Sequence, residues 1–111
     1  MDEQREEKRI DVNLQIKYKV ENSILGNKTK IQNLSAGGLC MSSFQRLVPG
    51  LTLSLSFAIP EFEDEISLKG QVVWQKEQEN VSNLFLLGVK FQNATREIKT
   101  HINDFVFGIY P

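Results

Sequence analysis

The chain has 111 residues, of which 41% are apolar and 24% charged, and a formal net charge of -1. This length and composition are ordinary for one globular domain, and no apolar run approaches the roughly 18 residues that a membrane-spanning helix needs. The near-neutral charge excludes a global attraction for nucleic acid or anionic lipid, so any anion site has to be local. A single cysteine, Cys40, excludes an internal disulfide and favours a reducing compartment.

The N-terminal segment mixes both signs of charge and is not followed by a long apolar core. Arg5, Lys8 and Arg9 stand among four acidic residues, which is typical of a solvated arm and not of a secretory signal. We therefore expect a cytoplasmic protein, organised as an arm over residues 1–10 and one folded domain over residues 11–111.

Alternating apolar and polar residues predict β-strands along most of the chain. The first strand covers residues 11–20, and others are predicted at about residues 28–34, 39–43, 51–59, 66–78 and 84–91. Residues 21–27 are interpreted as a loop, in which Ile24 and Leu25 are candidates for capping the core. Pro49 and Gly50 predict a reversal before the fourth strand.

The same alternation predicts which residues of the last two strands share a face. In the fifth strand, Gly70 is interpreted as a bulge and Trp74 as a member of the face that Ile66, Leu68 and Val72 share. In the sixth, the inward face is predicted to be Phe85, Leu87, Val89 and Phe91, opposite an outward set that includes Gly88 and Lys90.

From Ala94 the apolar spacing changes to that of an amphipathic helix. Its stripe consists of Ile98, Ile102, Phe105, Val106 and Ile109, with Asn93 or Thr95 as the N-cap. Six or so short antiparallel strands followed by one helix predict a mainly β fold, a small barrel with the helix packed against an opening or edge.

Two short motifs carry most of the functional information. Asn33-Leu-Ser35-Ala-Gly37-Gly38 joins short polar side chains to glycines expected to supply positive backbone angles, although such clusters usually mark only a turn. Arg5 and Arg9 stand four residues apart. Their guanidinium groups suit phosphate and can stack on or bond guanine, but taken alone they could simply balance neighbouring glutamates.

In combination, the two motifs resemble the PilZ domain family of bacterial cyclic di-GMP (c-di-GMP) receptors. Arg5-Glu-Glu-Lys-Arg9 is similar to the family's R-x-x-x-R motif, and the segment from Asn33 to Gly38 is similar to its second motif. The resemblance continues through Gly70-Gln-Val-Val-Trp74, Leu87-Gly-Val-Lys-Phe91 and the final helix. Acidic residues inside the first motif predict reduced affinity and not lost binding.

The resemblance implies a six-stranded antiparallel barrel that binds cyclic di-GMP on its outer surface, with the arm folding over the nucleotide. Arg5 and Arg9 would contact phosphates and guanines, Asn33 and Ser35 would hydrogen-bond a guanine, and Gly38 would let the backbone approach it. Gly37 and Trp74 are further candidates for the ligand site. The implied function is that of a receptor without enzymatic activity or cofactor, which passes its state to a protein partner. The alternative is an adaptor of the same fold with weak or no nucleotide binding.

Other classes of function find little support in the residues. Cys40 and the single histidine, His101, are far apart in sequence, and no set of metal ligands can be assembled. The acidic segment of residues 61–65 lacks the spacing of a calcium loop. No basic and aromatic stripe predicts single-stranded nucleic acid as a partner. We therefore expect no metal, no nucleic acid and no direct membrane insertion.

Overall fold

Six strands and one helix make up the fold in the computed structural model, which describes residues 8–60, 62, 64–79 and 81–108. The elements are β1 (Ile10–Val20), β2 (Asn27–Ser35), β3 (Gly38–Ser43), β4 (Thr52–Phe57), β5 (Ile66–Glu77), β6 (Phe85–Phe91) and α1 (Arg96–Val106). The strands close into an antiparallel barrel in the order β1-β2-β3-β6-β5-β4. The predicted mainly β barrel with a C-terminal helix is confirmed. Arg5, Ile109 and most of the N-terminal arm lie outside the described residues.

The barrel core follows from the alternation of side chains. Ile16 and Tyr18 of β1 are buried while Lys17 and Lys19 between them are exposed, because successive residues of a strand point to opposite faces. The predicted inward face of β6 is confirmed, since all four of its members are buried: Phe85, Leu87, Val89 and Phe91.

Helix α1 begins at an N-cap and packs into the core. Thr95, in extended conformation, accepts a hydrogen bond at Oγ1 from the backbone N–H of Ile98, 3.2 Å away, so it serves as the cap. Asn93, the other candidate, instead accepts a hydrogen bond from the backbone N–H of Lys69 at 2.7 Å. Ile102 is fully buried within the core cluster, so this residue packs the apolar stripe of α1 against the barrel.

Strand β5 corrects two sequence-based predictions. The register against β6 shifts between Val72 and Trp74, so the bulge lies there and not at Gly70. Trp74 therefore leaves the inward face and is 44% exposed. Glycine is required at position 70 for packing instead, because a Cβ there would overlap the side chain of Val89.

Three connections lie at one end of the barrel and two at the other. The β1–β2, β3–β4 and β5–β6 loops share one end, as the pairs Tyr18↔Asn27, Ser43↔Phe85 and Glu77↔Phe85 require. The expectation that Ile24 and Leu25 cover the core is wrong, since their exposed fractions at this end are 94% and 72%. Within the described ranges, no helix is both long and apolar enough to cross a membrane.

Candidate functional site

The turn between β2 and β3 is held by a buried hydroxyl. Ser35 is fully buried, and its Oγ accepts a hydrogen bond from the backbone N–H of Gly37 and donates one to the carbonyl oxygen of Gly38, both at 3.3 Å. The carbonyl oxygen of Gly37 in turn accepts from the backbone N–H of Phe91 at 2.9 Å. These contacts fix the turn to the neighbouring strand β6.

Gly38 serves close packing, and neither Gly37 nor Gly38 has the positive backbone angle expected from the sequence. The described glycines with positive φ are Gly50 and Gly108. A Cβ at Gly38 would overlap the carbonyl oxygen of Val89 across the β3–β6 pair. Glycine is therefore required at position 38 because another backbone lies directly against it, a common reason for glycine within a strand.

Arg9 and Asn33 form a hydrogen-bonded pair on the outer surface beside this turn. Nη1 of Arg9 donates to Oδ1 of Asn33 over 2.7 Å. The register explains the meeting, since Ile10 is paired with Leu34 and Asp11 with Asn33. A guanidinium group has five N–H donors, so this bond leaves further donors for an anion or a carbonyl group.

Trp74 lies on the outer surface over strand β6. A Cβ at Gly88 would overlap the indole ring, with Nε1, Cε2 and Cδ1 as the nearest atoms. The absence of a side chain at position 88 thus lets the indole lie close against the sheet, while 44% of the residue stays exposed. The arrangement leaves an exposed aromatic side chain at the edge of a depression.

A groove of about 420 Å³ joins these features. It is lined by Arg9, Asn33, Gly37, Gly38, Leu39, Cys40, Val73, Trp74, Gly88, Val89 and Lys90. Of the residues predicted from sequence, the structure brings together Arg9, Asn33, Gly37, Gly38 and Trp74. Ser35 does not line the groove and lies behind it in the turn. Arg5 lies outside the described residues.

Sequence reasoning missed several residues of the groove. Lys90 and Gly88 come from the outward set of β6, and Cys40 is paired with both Asn33 and Gly88. The outward face of β6 was visible in the alternation, but its contact with Trp74 depends on the register shift in β5. Only cross-strand pairing could have assigned these residues to the site.

Cys40 lies at the floor of the groove and is only 6% exposed. Burial raises the pKa of its thiol above the ordinary value, and the nearby positive charge of Arg9 acts in the opposite direction. A buried thiol with a raised pKa is a weak nucleophile. Among the residues that the structure describes, no three potential metal-ligating side chains come together.

Comparison with known proteins identifies the family. The sequence model of the PilZ domain matches residues 3–108. The chain belongs to the PilZ domain family. This match confirms the resemblance noted in the sequence. Among curated protein sequences, none is significantly similar to this PilZ domain.

Solved structures share the fold of this PilZ domain. The inhibitor of motility MotI/DgrA of Bacillus subtilis has a TM-score of 0.80 at 18% identity, covering 94% of this chain and 50% of that one. This chain thus spans about half the length of that relative. The PilZ domain of Escherichia coli YcgR, in a structure with c-di-GMP, has a TM-score of 0.72 at 14% identity, covering 91% and 87%. Borreliella burgdorferi PlzA in complex with c-di-GMP has a TM-score of 0.57 at 23% identity, covering 95% and 36%.

Proposed function

We propose that this PilZ domain is a cyclic di-GMP receptor and that the nucleotide binds in the groove beside the β2–β3 turn. The observation that carries the proposal is the Arg9–Asn33 pair, joined over 2.7 Å, in the same groove as the exposed indole of Trp74. A guanidinium group, an amide and an aromatic ring are the groups that a guanine nucleotide needs for its phosphate, its base edge and its base face. Two structural relatives described with this nucleotide, YcgR and PlzA, support the choice of ligand.

The charge of the groove agrees with an anionic ligand. Arg9 and Lys90 contribute two positive charges, and none of the described residues that line the groove is acidic. The guanidinium group can form two parallel hydrogen bonds to a phosphate or to the O6 and N7 atoms of guanine. The side-chain amide of Asn33 can hydrogen-bond a base edge. In this role Ser35 acts by holding the turn, since its hydroxyl is already engaged with backbone groups.

The N-terminal arm, residues 1–10, is the second part of the proposal. In this scheme Arg5 joins Arg9 on the nucleotide, and the folded domain over residues 11–111 supplies the rest of the site. Contact between the arm and the nucleotide changes the surface that a protein partner meets, so that binding is converted into a signal without catalysis. The setting that fits such a receptor is the bacterial cytoplasm.

Calorimetric titration with cyclic di-GMP tests the site. Arg9→Ala is expected to weaken binding by roughly tenfold to a hundredfold, because a hydrogen bond to a charged group contributes about 1.5–3 kcal/mol. Arg5→Ala is expected to weaken it comparably.

The matched control is Arg46→Ala, which removes an exposed arginine from the opposite end of the barrel, where it lies over the Phe85 ring. Trp74, the single tryptophan, gives an independent fluorescence readout of the same titration. Absence of binding by folded wild-type protein, or equal loss in the Arg46 control, would contradict the proposal.

A second candidate is a PilZ adaptor whose barrel binds a protein and whose nucleotide site is silent. The Arg9–Asn33 hydrogen bond favours it as well, because a nucleotide that bonds to Oδ1 of Asn33 has to displace or share the bond from Arg9. The discriminating experiment is capture of a partner in the presence and absence of cyclic di-GMP. An adaptor retains the partner equally in both cases, and also in the Asn33→Ala variant.

A further inference from the structure

A contiguous set of lysines covers the outer face of the strands on the other side of the barrel. Five exposed lysines, here called the lysine face, extend outward from three strands: Lys17, Lys19, Lys28, Lys30 and Lys69. The register places them side by side, with Lys17 opposite Lys28, Gln15 opposite Lys30, and Ser54 of β4 between Lys19 and Lys69. In a chain with a net charge of -1, this is a strong local concentration of positive charge.

Three residues of the lysine face line a shallow depression of about 440 Å³. Its lining includes Lys17, Lys19 and Lys69 together with three serines of the same outer face, Ser54, Ser56 and Ser67. Two lysines are paired with carboxylates at its margins, Lys17 with Glu65 at 3.7 Å and Lys69 with Glu21 at 3.2 Å. Exposed ion pairs of this kind contribute little and exchange readily. Ammonium and hydroxyl groups around a shallow depression suit phosphate headgroups.

An exposed apolar tip stands at the end of this face. The β1–β2 loop, residues 21–26, connects the strands that carry four of the five lysines, and its Ile24 and Leu25 are 94% and 72% exposed. The hydroxyl of Ser23 accepts a hydrogen bond from the backbone N–H of Leu25 at 3.2 Å, which gives the tip a defined turn. A Cβ at Gly26 would meet nothing within 4 Å, so the tip stands clear of the barrel.

A third apolar side chain projects at the same end. Tyr18 Oη donates to Oε1 of Gln45 at 3.0 Å, which holds the start of the β3–β4 loop beside the end of β1. Phe44, the residue before Gln45, is 73% exposed. On the far side of this end, β5 finishes with the exposed Glu77. Among the described residues, Ile24, Phe44 and Leu25 are the most exposed large apolar side chains.

We infer that the lysine face and the Ile24–Leu25 tip dock this domain peripherally on an anionic lipid bilayer. The lysines attract anionic headgroups, and the tip places aliphatic side chains at the boundary between headgroups and acyl chains. Two such contributions together are what stable peripheral binding requires, because either one alone is marginal. The contact lies away from the nucleotide groove and does not depend on the proposed ligand.

The composition of this surface favours lipid over the two other anionic partners. Lysine and serine are depleted in protein–protein interfaces, where tryptophan, tyrosine and arginine dominate the binding energy. Single-stranded nucleic acid requires aromatic side chains for base stacking, and the outward positions that form the lysine face carry none. A face several strands wide is also too broad for the major groove of duplex DNA, which admits a helix or a two-stranded ribbon.

Vesicle sedimentation with the full chain tests the inference. We expect retention on vesicles of phosphatidylcholine and phosphatidylglycerol in equal parts, little on phosphatidylcholine alone, and loss of retention as salt is added. Lys28→Gln combined with Lys30→Gln is expected to lower the partition coefficient by roughly twentyfold. Ile24→Ser combined with Leu25→Ser is expected to lower it by roughly tenfold or more without removing the salt dependence.

The matched control is Lys99→Gln, which removes an exposed lysine from α1 and is expected to leave retention unchanged. Circular dichroism of each variant establishes that it is folded. Equal retention on neutral vesicles, no retention on anionic ones, or an equal loss in the Lys99 control would overturn the inference. So would binding of duplex DNA that depends on Lys28 and Lys30 in the absence of vesicle binding, because it would assign the lysine face to nucleic acid.

Discussion

The two turns that flank β2 differ in almost every physical property. The β2–β3 turn has two residues, Ala36 and Gly37, and it is flanked by the fully buried Ser35 and by Gly38, which lies against the backbone of β6. The β1–β2 loop has six residues, ends in an exposed aliphatic pair and contains a glycine with open space around it. Arg9 and Asn33 lie beside the first turn, whereas the lysine face leads to the second.

This contrast separates two kinds of recognition. A ligand with a defined shape benefits from groups that are already held in position, because ordering them on binding would reduce the affinity. A lipid surface has no fixed shape, so charge density and a protruding apolar tip are sufficient. The rigid turn therefore suits the nucleotide groove, and the open loop suits a surface contact. The predictions below test whether the two turns differ in rigidity as this comparison requires.

The largest difference is expected between two glycine substitutions. Gly38→Ala should destabilise the fold by roughly 3 kcal/mol, because its Cβ would overlap a backbone carbonyl oxygen that cannot move without disturbing the β3–β6 pair. Gly26→Ala is the matched control in the open loop. It should change the free energy of unfolding by less than about 1 kcal/mol, in the stabilising direction if the unfolded chain loses freedom. Urea denaturation measures both, and equal effects would contradict the comparison.

A smaller difference is expected between two serines that cap their turns. Ser35→Ala removes a buried hydroxyl and leaves the N–H of Gly37 and the carbonyl of Gly38 without that partner, at a cost of about 1–3 kcal/mol. Ser23→Ala removes an exposed bond to the N–H of Leu25, which water can replace, so its cost should be within about 0.5 kcal/mol. The same denaturation experiment compares them. A Ser23 variant as destabilised as the Ser35 variant would show that the open loop is also held tightly.

The strands were predictable because most of them have one face in the core. Alternation in β1, β4 and β6 therefore predicts both the position of each strand and the face that points inward. The helical spacing of apolar residues after Ala94 predicts α1 equally clearly. Two predictions of burial failed, each for its own reason. An inserted residue at Val73 shifts the alternation without a turn residue to mark it, so the sequence pattern wrongly predicts that Trp74 faces inward. Hydrophobicity alone does not distinguish the exposed pair Ile24–Leu25 from residues that cap the core.

The candidate site was predictable only where a local motif existed. Arg9, Asn33 and the glycines belong to motifs that can be read along the chain, but the 2.7 Å bond between Arg9 and Asn33 requires the β1–β2 register. Cys40 and Lys90 enter the groove through pairing of β3 with β6, in which Cys40 lies opposite Gly88 and Lys90 lies opposite Gly38. The role of Ser35 in holding the turn also depends on its burial, which cannot be predicted from the motif alone.

The smallest expected effect concerns the thiol at the floor of the groove. Burial raises the pKa of Cys40 in the folded protein, so the thiol ionises more easily when the chain unfolds. Its contribution to stability is therefore fully present below the ordinary thiol pKa and is lost as pH rises through the raised pKa of the folded state. Urea denaturation at increasing pH should show this loss in the wild type, and Cys40→Ala should remove that component. A wild type and a Cys40→Ala variant with identical pH dependence would contradict it.

The rate of thiol alkylation allows a direct comparison of the groove beside the β2–β3 turn with the β1–β2 loop. Alkylation by iodoacetamide requires the thiolate, so Cys40 should react slowly at neutral pH and faster in denaturant. A thiol introduced by Ile24→Cys, in a Cys40→Ala background, stands in the exposed loop and should react at the rate of a free thiol in both conditions. If the nucleotide occupies the groove, cyclic di-GMP should slow the reaction of Cys40 further and leave the loop thiol unaffected. Protection of both thiols would point to a change of the whole barrel and not to occupation of the groove, because only Cys40 lines it.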